Sequence, residues 1–438
     1  MSSRNVTVGL TLMALLGLPA APARADLFEY VKKPEPKYEW KFKEKIAHPM
    51  GTVYDLRLVS QTWQDITWEH QLQVYLPKDV KPNGTMLIWN TGGGANPLNV
   101  LLGMELAKRC KTPVAFLYHV PNQPLLDGKK EDALIAETFV RYLKTRDENW
   151  PLLFPMVKSV VKAMDALEAF SKQEWKDPPR QFIVSGASKR GWTTWLTAAA
   201  DPRVKAVAPL VIDTLNMPAQ IPHQIKSFGG PSEMIKDYTN AGLAPIPNTP
   251  EAKKLWGMVD PWAYRDRLTM PKLIILGNND PYWSTDALNL YWDDLKGDKW
   301  VLYVPNAGHD LRQMDADGRP DLSRVVNALG AFGNIQSNSK SMPKLEWQHG
   351  NAGGELLLTV KADPLPKSAR LWVAAAPTRD FRKAKWTEAP ATIKDGVITG
   401  RVAPPKEGCL AFYGDLEYEL DGLPYHLCTQ LRIAGQPK

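Results

Sequence analysis

Cysteine is nearly missing from this chain. Cys110, Cys409 and Cys428 are the three in 438 residues, too few for a disulfide-framed scaffold. Cys409 and Cys428 both fall in a strand-patterned tail, so a bond between them stays open, whereas Cys110 reads as a buried free thiol on a helix. Long apolar runs are missing too. Outside residues 8–18 no uncharged stretch approaches the roughly 18 to 20 residues that a membrane span requires. The formal net charge of +7 is spread along the chain without a Lys/Arg cluster, which argues against a nucleic-acid partner. Metal and phosphate signatures are missing as well: there is no HExxH, the one run of glycines is not followed by GK[ST], and Asp315-Ala316-Asp317-Gly318 is only a fragment of a calcium loop. No metal and no cofactor is expected, and there are no repeats or low-complexity tracts.

What is present begins with a leader. MSSRN, the apolar run and PAAPARAD, in which Ala23-Arg24-Ala25 has the small-x-small form of a signal peptidase site, make residues 1–25 a cleavable signal peptide and the protein periplasmic or secreted. From 53 to 77 two stretches alternate like antiparallel strands. Short apolar runs then follow, MLIW (86–89), PVAFLY (113–118), FIV (182–184), VKAVAPLVI (204–212), LIILG (273–277) and WVLYV (300–304), separated by helical patterns. One helix shows an apolar stripe at Met156, Val157, Val160, Val161, Met164, Leu167 and Phe170. Strands alternating with helices predict an α/β domain over 26–335 with a mostly parallel central sheet. Between 213 and 268 that rhythm breaks and Pro, Gly and Asn accumulate, as expected of a lid insertion. The polar stretch GNIQSNSK (333–340) reads as a linker, and 341–438 as a C-terminal all-β, sandwich-like domain.

VSGASKRGW (184–192) carries the chemistry. A strand runs through a turn of small residues into a helix, which would expose the Ser188 hydroxyl and aim a helix N-terminus at it, the context of a nucleophile elbow. The usual pattern has glycine two residues after the serine; here Arg190 stands there and Gly191 follows. A serine needs a base and an orienting acid. Asp280 follows the strand LIILG and His309 the strand WVLYV, so Ser188, Asp280 and His309 come in the order of α/β-hydrolases; Asp286 is the alternative acid. Gly92, Gly93 and Gly94, after MLIWN, and the backbone N–H of Lys189 are the candidate oxyanion donors. Among sixteen tryptophans, most of them expected in the core, Trp192 and Trp283 lie near these motifs and are candidate substrate contacts. Lys189 and Arg190 could attract an acidic substrate, or Arg190 could pair with a structural carboxylate.

The runs EDALIAETF, WPLLFPMVKSVVKAMDALEAF, GASKRGWTTWLTAAADPRV and VPNAGHDL resemble the PhoPQ-activated pathogenicity-related protein family, from about Phe28 to the tail. The resemblance implies an α/β-hydrolase fold with a C-terminal β domain, and accommodates arginine at 190. It implies no particular substrate. The expected activity is an exported serine hydrolase acting on an ester or amide, with a small-molecule, saccharide or peptide substrate. Two alternatives are an exopeptidase of the same fold, with Glu233 or Asp237 binding the peptide amine, and a non-catalytic binding or signalling protein. Oligomeric state is not legible.

Overall fold

The computed structural model describes residues 27–176 and 178–437; the expected signal segment lies outside the described residues. The alternating stretches near the N-terminus form an antiparallel meander of β1 (Glu39–His48), β2 (Gly51–Trp63) and β3 (Ile66–Pro77). The apolar runs become β4 (Thr85–Asn90), β5 (Val114–Leu117), β6 (Gln181–Ala187), β7 (Val204–Leu210), β8 (Lys272–Gly277) and β9 (Lys299–Val304). Their side chains are buried almost without alternation because helices cover both faces. β3 meets β5 antiparallel, and from there the order β5, β4, β6, β7, β8, β9 is parallel throughout. The chain leaves β4 for β5 on one side and later takes β6 on the other. That reversal opens a crevice at the carboxyl ends of β4 and β6.

The helices are α1 (Leu27–Lys32), α2 (Pro97–Cys110), α3 (Glu131–Thr145), α4 (Leu153–Glu174) and α5 (Lys189–Ala200), with α6 (Met217–Phe228), α7 (Lys236–Asn240) and α8 (Pro250–Val259) in the insertion, and α9 (Ser323–Ser337). All seven residues of the stripe predicted on α4 are buried, against α1, α5 and β2. The insertion is more regular than its Pro- and Gly-rich sequence suggests, and a side-chain cap starts α8. The Thr249 side chain accepts from the Ala252 N–H at the head of α8. Asp260 accepts from the N–H groups of Asn216 and Met217, tying the two ends of the insertion together.

After a short hairpin, β10 (Gln313–Met314) with β11 (Pro320–Asp321), the stretch 333–340 departs from expectation. Instead of a linker, its first five residues are the last turns of α9. Gly333 allows this, since a Cβ there would stand 2.4 Å from Cys110 Sγ of α2. The tail forms β12 (Lys344–Ala352), β13 (Glu355–Asp363), β14 (Ser368–Ala376), β15 (Thr387–Lys394), β16 (Val397–Val402), β17 (Gly408–Leu420), β18 (Leu423–Cys428) and β19 (Arg432–Gln436), all antiparallel. They run β12, β13, β16, β15, β14, β17, and β17 then pairs with both β18 and β19. β18 touches β9 at Cys428 and Val301, so the tail continues the edge of the parallel sheet. Cys110, Cys409 and Cys428 are free and buried, so Cys409 and Cys428 are not bonded.

Candidate active site

Ser188 sits between β6 and α5 with φ 58° and ψ −125°, a conformation side chains rarely adopt. Its N–H donates to the Leu210 carbonyl of β7 and its carbonyl accepts from Trp192 N–H, which fixes the turn at both ends. Two glycines make room. A Cβ at Gly186 would stand 2.6 Å from Asn90 Nδ2, and one at Gly191 would stand 2.6 Å from Ile212 Cγ2. The tight approach to the strands therefore falls at 186 and 191, leaving 190 free to be arginine.

Asp280, after β8, and His309, after β9, converge on this turn. His309 Nε2 lies 2.9 Å from Ser188 Oγ, and Nδ1 lies 2.8 Å from Asp280 Oδ2. A carboxylate only accepts, so Nδ1 carries the proton, and Nε2 is left to accept from the Ser188 hydroxyl. Asp280 Oδ1 accepts from Tyr282 N–H at 2.8 Å, and the Tyr282 ring lies 4.2 Å from the imidazole. Asp286 is not the partner of His309. It binds His223 at 2.8 Å and Arg379 at 2.5 Å.

The two cations beside the serine are already engaged. Arg190 forms a two-pronged pair with Glu131 at 2.6 and 2.7 Å and donates its Nε–H to the Val120 carbonyl. Lys189 Nζ lies 2.7 Å from Asp132 and 3.5 Å from Glu131. Burial works against the Glu131 carboxylate, but the Arg190 guanidinium holds its pKa down to about 2. Of the two readings of Arg190, the geometry has the structural pairing, and the expectation that it contacts an acidic substrate is corrected accordingly. Gly92 has no Cβ because one there would stand 1.6 Å from the Arg190 guanidinium, and Gly94 faces His119. Gly92 thus lies beside the salt bridge, and Lys189, at the start of α5, lines the cavity around the serine.

That cavity is narrow, with about 40 Å³ open to the centre of a water-sized sphere. Ser188, His309, Trp192 and Trp283 line it from the sheet side. The insertion closes it with Met217, Ile221, Ile235, Tyr238, Ala244 and Trp256. Trp192 serves packing as well, stacked parallel to Trp256 at 6.4 Å with its Nε1–H on the Val259 carbonyl. Trp195 is wholly core. Glu233 and Asp237 do not line the cavity. Its carboxylate is Asp132, which sequence reasoning missed and which accepts from Tyr238 and Tyr282 hydroxyls besides Lys189.

The strand order and a serine elbow between β6 and α5 define an α/β-hydrolase. Within that class the chain belongs to the PhoPQ-activated pathogenicity-related protein family, whose model matches residues 27–382. It is 30% identical to autocrine proliferation repressor protein A of Dictyostelium discoideum, over 93% of this chain and 89% of that one. Similar solved structures include an acetyl xylan esterase from Paenibacillus sp. R4 (TM-score 0.49, 13% identity, 67% of this chain and 90% of that one). An S-formylglutathione hydrolase from Agrobacterium tumefaciens has a TM-score of 0.45 and 14% identity, covering 69% of this chain and 100% of that one.

Proposed function

We propose that this protein is an exported serine hydrolase that cleaves carboxylic esters through an acyl-enzyme. The observation that carries the reading is the unbroken chain from Asp280 through His309 to Ser188, ending on a strained turn at the mouth of a cavity. Ser188 Oγ attacks the ester carbonyl while His309 Nε2 takes its proton. The tetrahedral intermediate collapses, His309 returns that proton to the departing alcohol, and water repeats the sequence on the acyl-enzyme. Asp280 holds the imidazole in the tautomer that accepts at Nε2. The N–H of Lys189, among the first of α5 and so without an intrahelical partner, is an oxyanion donor. Gly92 also makes room for Arg190, and a backbone N–H of the Gly92, Gly93 and Gly94 turn is the candidate second donor.

Esters are favoured over peptides with a free amine. An exopeptidase needs an uncommitted carboxylate in the cavity, and Asp132 already holds the Lys189 ammonium. The repressor name of the Dictyostelium relative favours a second reading, secreted signalling without turnover. One experiment separates the two: labelling the purified protein with a fluorophosphonate probe beside Ser188→Ala and His309→Ala controls. Labelling of wild type that disappears in both variants is expected. A folded wild type that takes no label, with biological effect kept in Ser188→Ala, moves the assignment to signalling.

A further inference from the structure

His309 has a further neighbour besides Ser188 and Asp280. The Tyr282 ring lies 4.2 Å from the imidazole with the two planes tilted by 33°, so the rings meet by their faces rather than edge to face. Three elements hold that ring in place. The Tyr282 N–H donates to Asp280 Oδ1 at 2.8 Å, its carbonyl accepts from Gln224 of α6 at 2.6 Å, and its hydroxyl donates to Asp132 of α3 at 3.4 Å. Burial, reinforced by the Asp132 and Asp280 carboxylates, pushes the Tyr282 pKa above its ordinary value, so the side chain stays a neutral phenol.

The charge on His309 changes during the reaction. As Ser188 Oγ attacks, its proton passes to Nε2, and the ring is an imidazolium until the departing alcohol takes that proton; water then repeats the cycle on the acyl-enzyme. Asp280 meets this charge at Nδ1, in the plane of the ring. An aromatic face attracts a cation lying over it, and a ring already held does so without reorganising. The other charges nearby are balanced. Lys189 lies over the Tyr282 ring only at 5.8 Å and 2.7 Å from Asp132, which also accepts from Tyr238, while Asp310, next in the chain, is exposed beside Arg312.

We infer that Tyr282 is a catalytic residue, whose ring face stabilises the imidazolium that forms on His309. This rests on the serine hydrolase reading above. The test follows kcat/KM for p-nitrophenyl acetate from about pH 4 to 9. Tyr282→Leu removes the aromatic face and is expected to lower kcat/KM by about 2- to 30-fold. It is also expected to move the acid limb of the profile to lower pH by about 0.4 to 1.5, because a less stable imidazolium loses its proton sooner. Tyr282→Phe keeps the face and is expected to stay within about threefold of wild type. A loss of rate in Tyr282→Leu with the acid limb unmoved is what a merely structural role predicts, and overturns the inference.

Fluorinated phenylalanines at position 282 keep the inference falsifiable if Tyr282→Leu does not fold, since they preserve the ring's shape while each fluorine withdraws charge from its face. Successive ring fluorines are expected to lower kcat/KM stepwise from the Tyr282→Phe value, and a flat series overturns the inference while leaving the hydrolase reading standing. If p-nitrophenyl acetate is not turned over, the rate of fluorophosphonate labelling is followed over the same pH range in its place. A wild type that takes no label sinks the hydrolase reading. Magnetic resonance titration of the His309 ring across the same proteins then decides about Tyr282 alone: midpoints that fall with fluorination support the contact, and equal midpoints overturn it.

Discussion

The parallel-sheet region and the antiparallel tail each bury an aspartate, and they treat it in opposite ways. Asp213, just past β7, is fully buried and its one side-chain partner is the Tyr291 hydroxyl, at 2.5 Å. Burial, opposed by that bond but reinforced by Asp280 and Asp286, pushes its pKa up to about 7. Asp415 in β17 is just as buried, but Arg324 of α9 lies at 2.8 Å and His426 at 3.1 Å. Burial opposes its charge, yet these partners hold the Asp415 carboxyl well below the usual carboxylate range. In the tail, buried charge is neutralised and helps to bind β17 to α9. Asp213 has no ion pair among the described residues, and perturbed carboxyls of this kind are common near functional sites.

The same contrast appears in how the two regions meet. The tail loop 377–386 grips the two loops that bear Asp280 and His309. The Asn279 side chain donates to the carbonyls of Phe381 and Ala384 at 2.9 and 2.8 Å, and its backbone N–H donates to Ala307 at 3.0 Å. Asn306 donates to the Trp386 carbonyl and accepts from the Trp386 N–H. Arg379 holds Asp286, and Arg382 covers Phe228 of the cap. The tail thus holds the loops that carry Asp280 and His309.

The largest effect belongs to the reacting groups. Ser188→Ala should cost about 10⁴-fold or more in kcat and abolish covalent labelling. Next comes the grip. Asn279→Ala should lower kcat by about 10- to 100-fold, since small misplacements of an orienting acid have effects of that size. KM and the near-ultraviolet circular dichroism spectrum should stay close to wild type. Arg401→Ala, which breaks an exposed ion pair with Glu355 elsewhere in the tail, should change neither. An Asn279→Ala enzyme with full kcat would show that the two regions are only neighbours.

The three side chains that the fold brings within hydrogen-bond distance were legible in sequence because each follows a short apolar run, and a strand buried on both faces announces itself by such a run. Ser188, Asp280 and His309 needed only the rule that successive parallel strands end on one edge. The grip was not legible. Asn279 stands beside Asp280, but its acceptors lie about a hundred residues later in a loop with no pattern of its own. Arg190 had two readings that spacing alone could not separate, and Glu131, in a quoted stretch at the head of α3, decided between them. That Gly92 makes room for the Arg190 side chain was not legible either, because a Gly-rich turn admits a substrate or a side chain equally well. Trp256 lies in the insertion, where broken periodicity concealed short helices such as α8.

Within the α/β region, the Arg190 pair sharpens the contrast with Asp213. Arg190→Ala strands Glu131 and leaves a gap at Gly92, and should lower stability by about 2 kcal/mol. That is less than for a fully enclosed pair, because Glu131 is partly open to solvent and screened. Chemical denaturation should show the loss, and KM for neutral esters should move little.

The smallest effect is the pH signature of the two aspartates. The folded pKa of Asp213 is raised, so its contribution to stability is fully present below about pH 4, the unfolded value, and is lost as pH rises through about 7. Asp415 is depressed, so its contribution is present above about pH 4 and is lost as pH falls below that. Asp213→Asn keeps an oxygen for the Tyr291 hydroxyl and removes the buried charge. It should therefore gain about 1 kcal/mol over wild type at pH 8, and no more than that, because the new amide needs a partner of its own. At pH 4, where the wild-type carboxyl is neutral, the gain should vanish. Asp415→Asn should reverse the pattern, losing stability at pH 8 and converging on wild type in acid. Urea midpoints of the three proteins at pH 2, 4, 6 and 8 measure this. Parallel curves for both variants would mean that the two regions do not differ in how they hold buried charge.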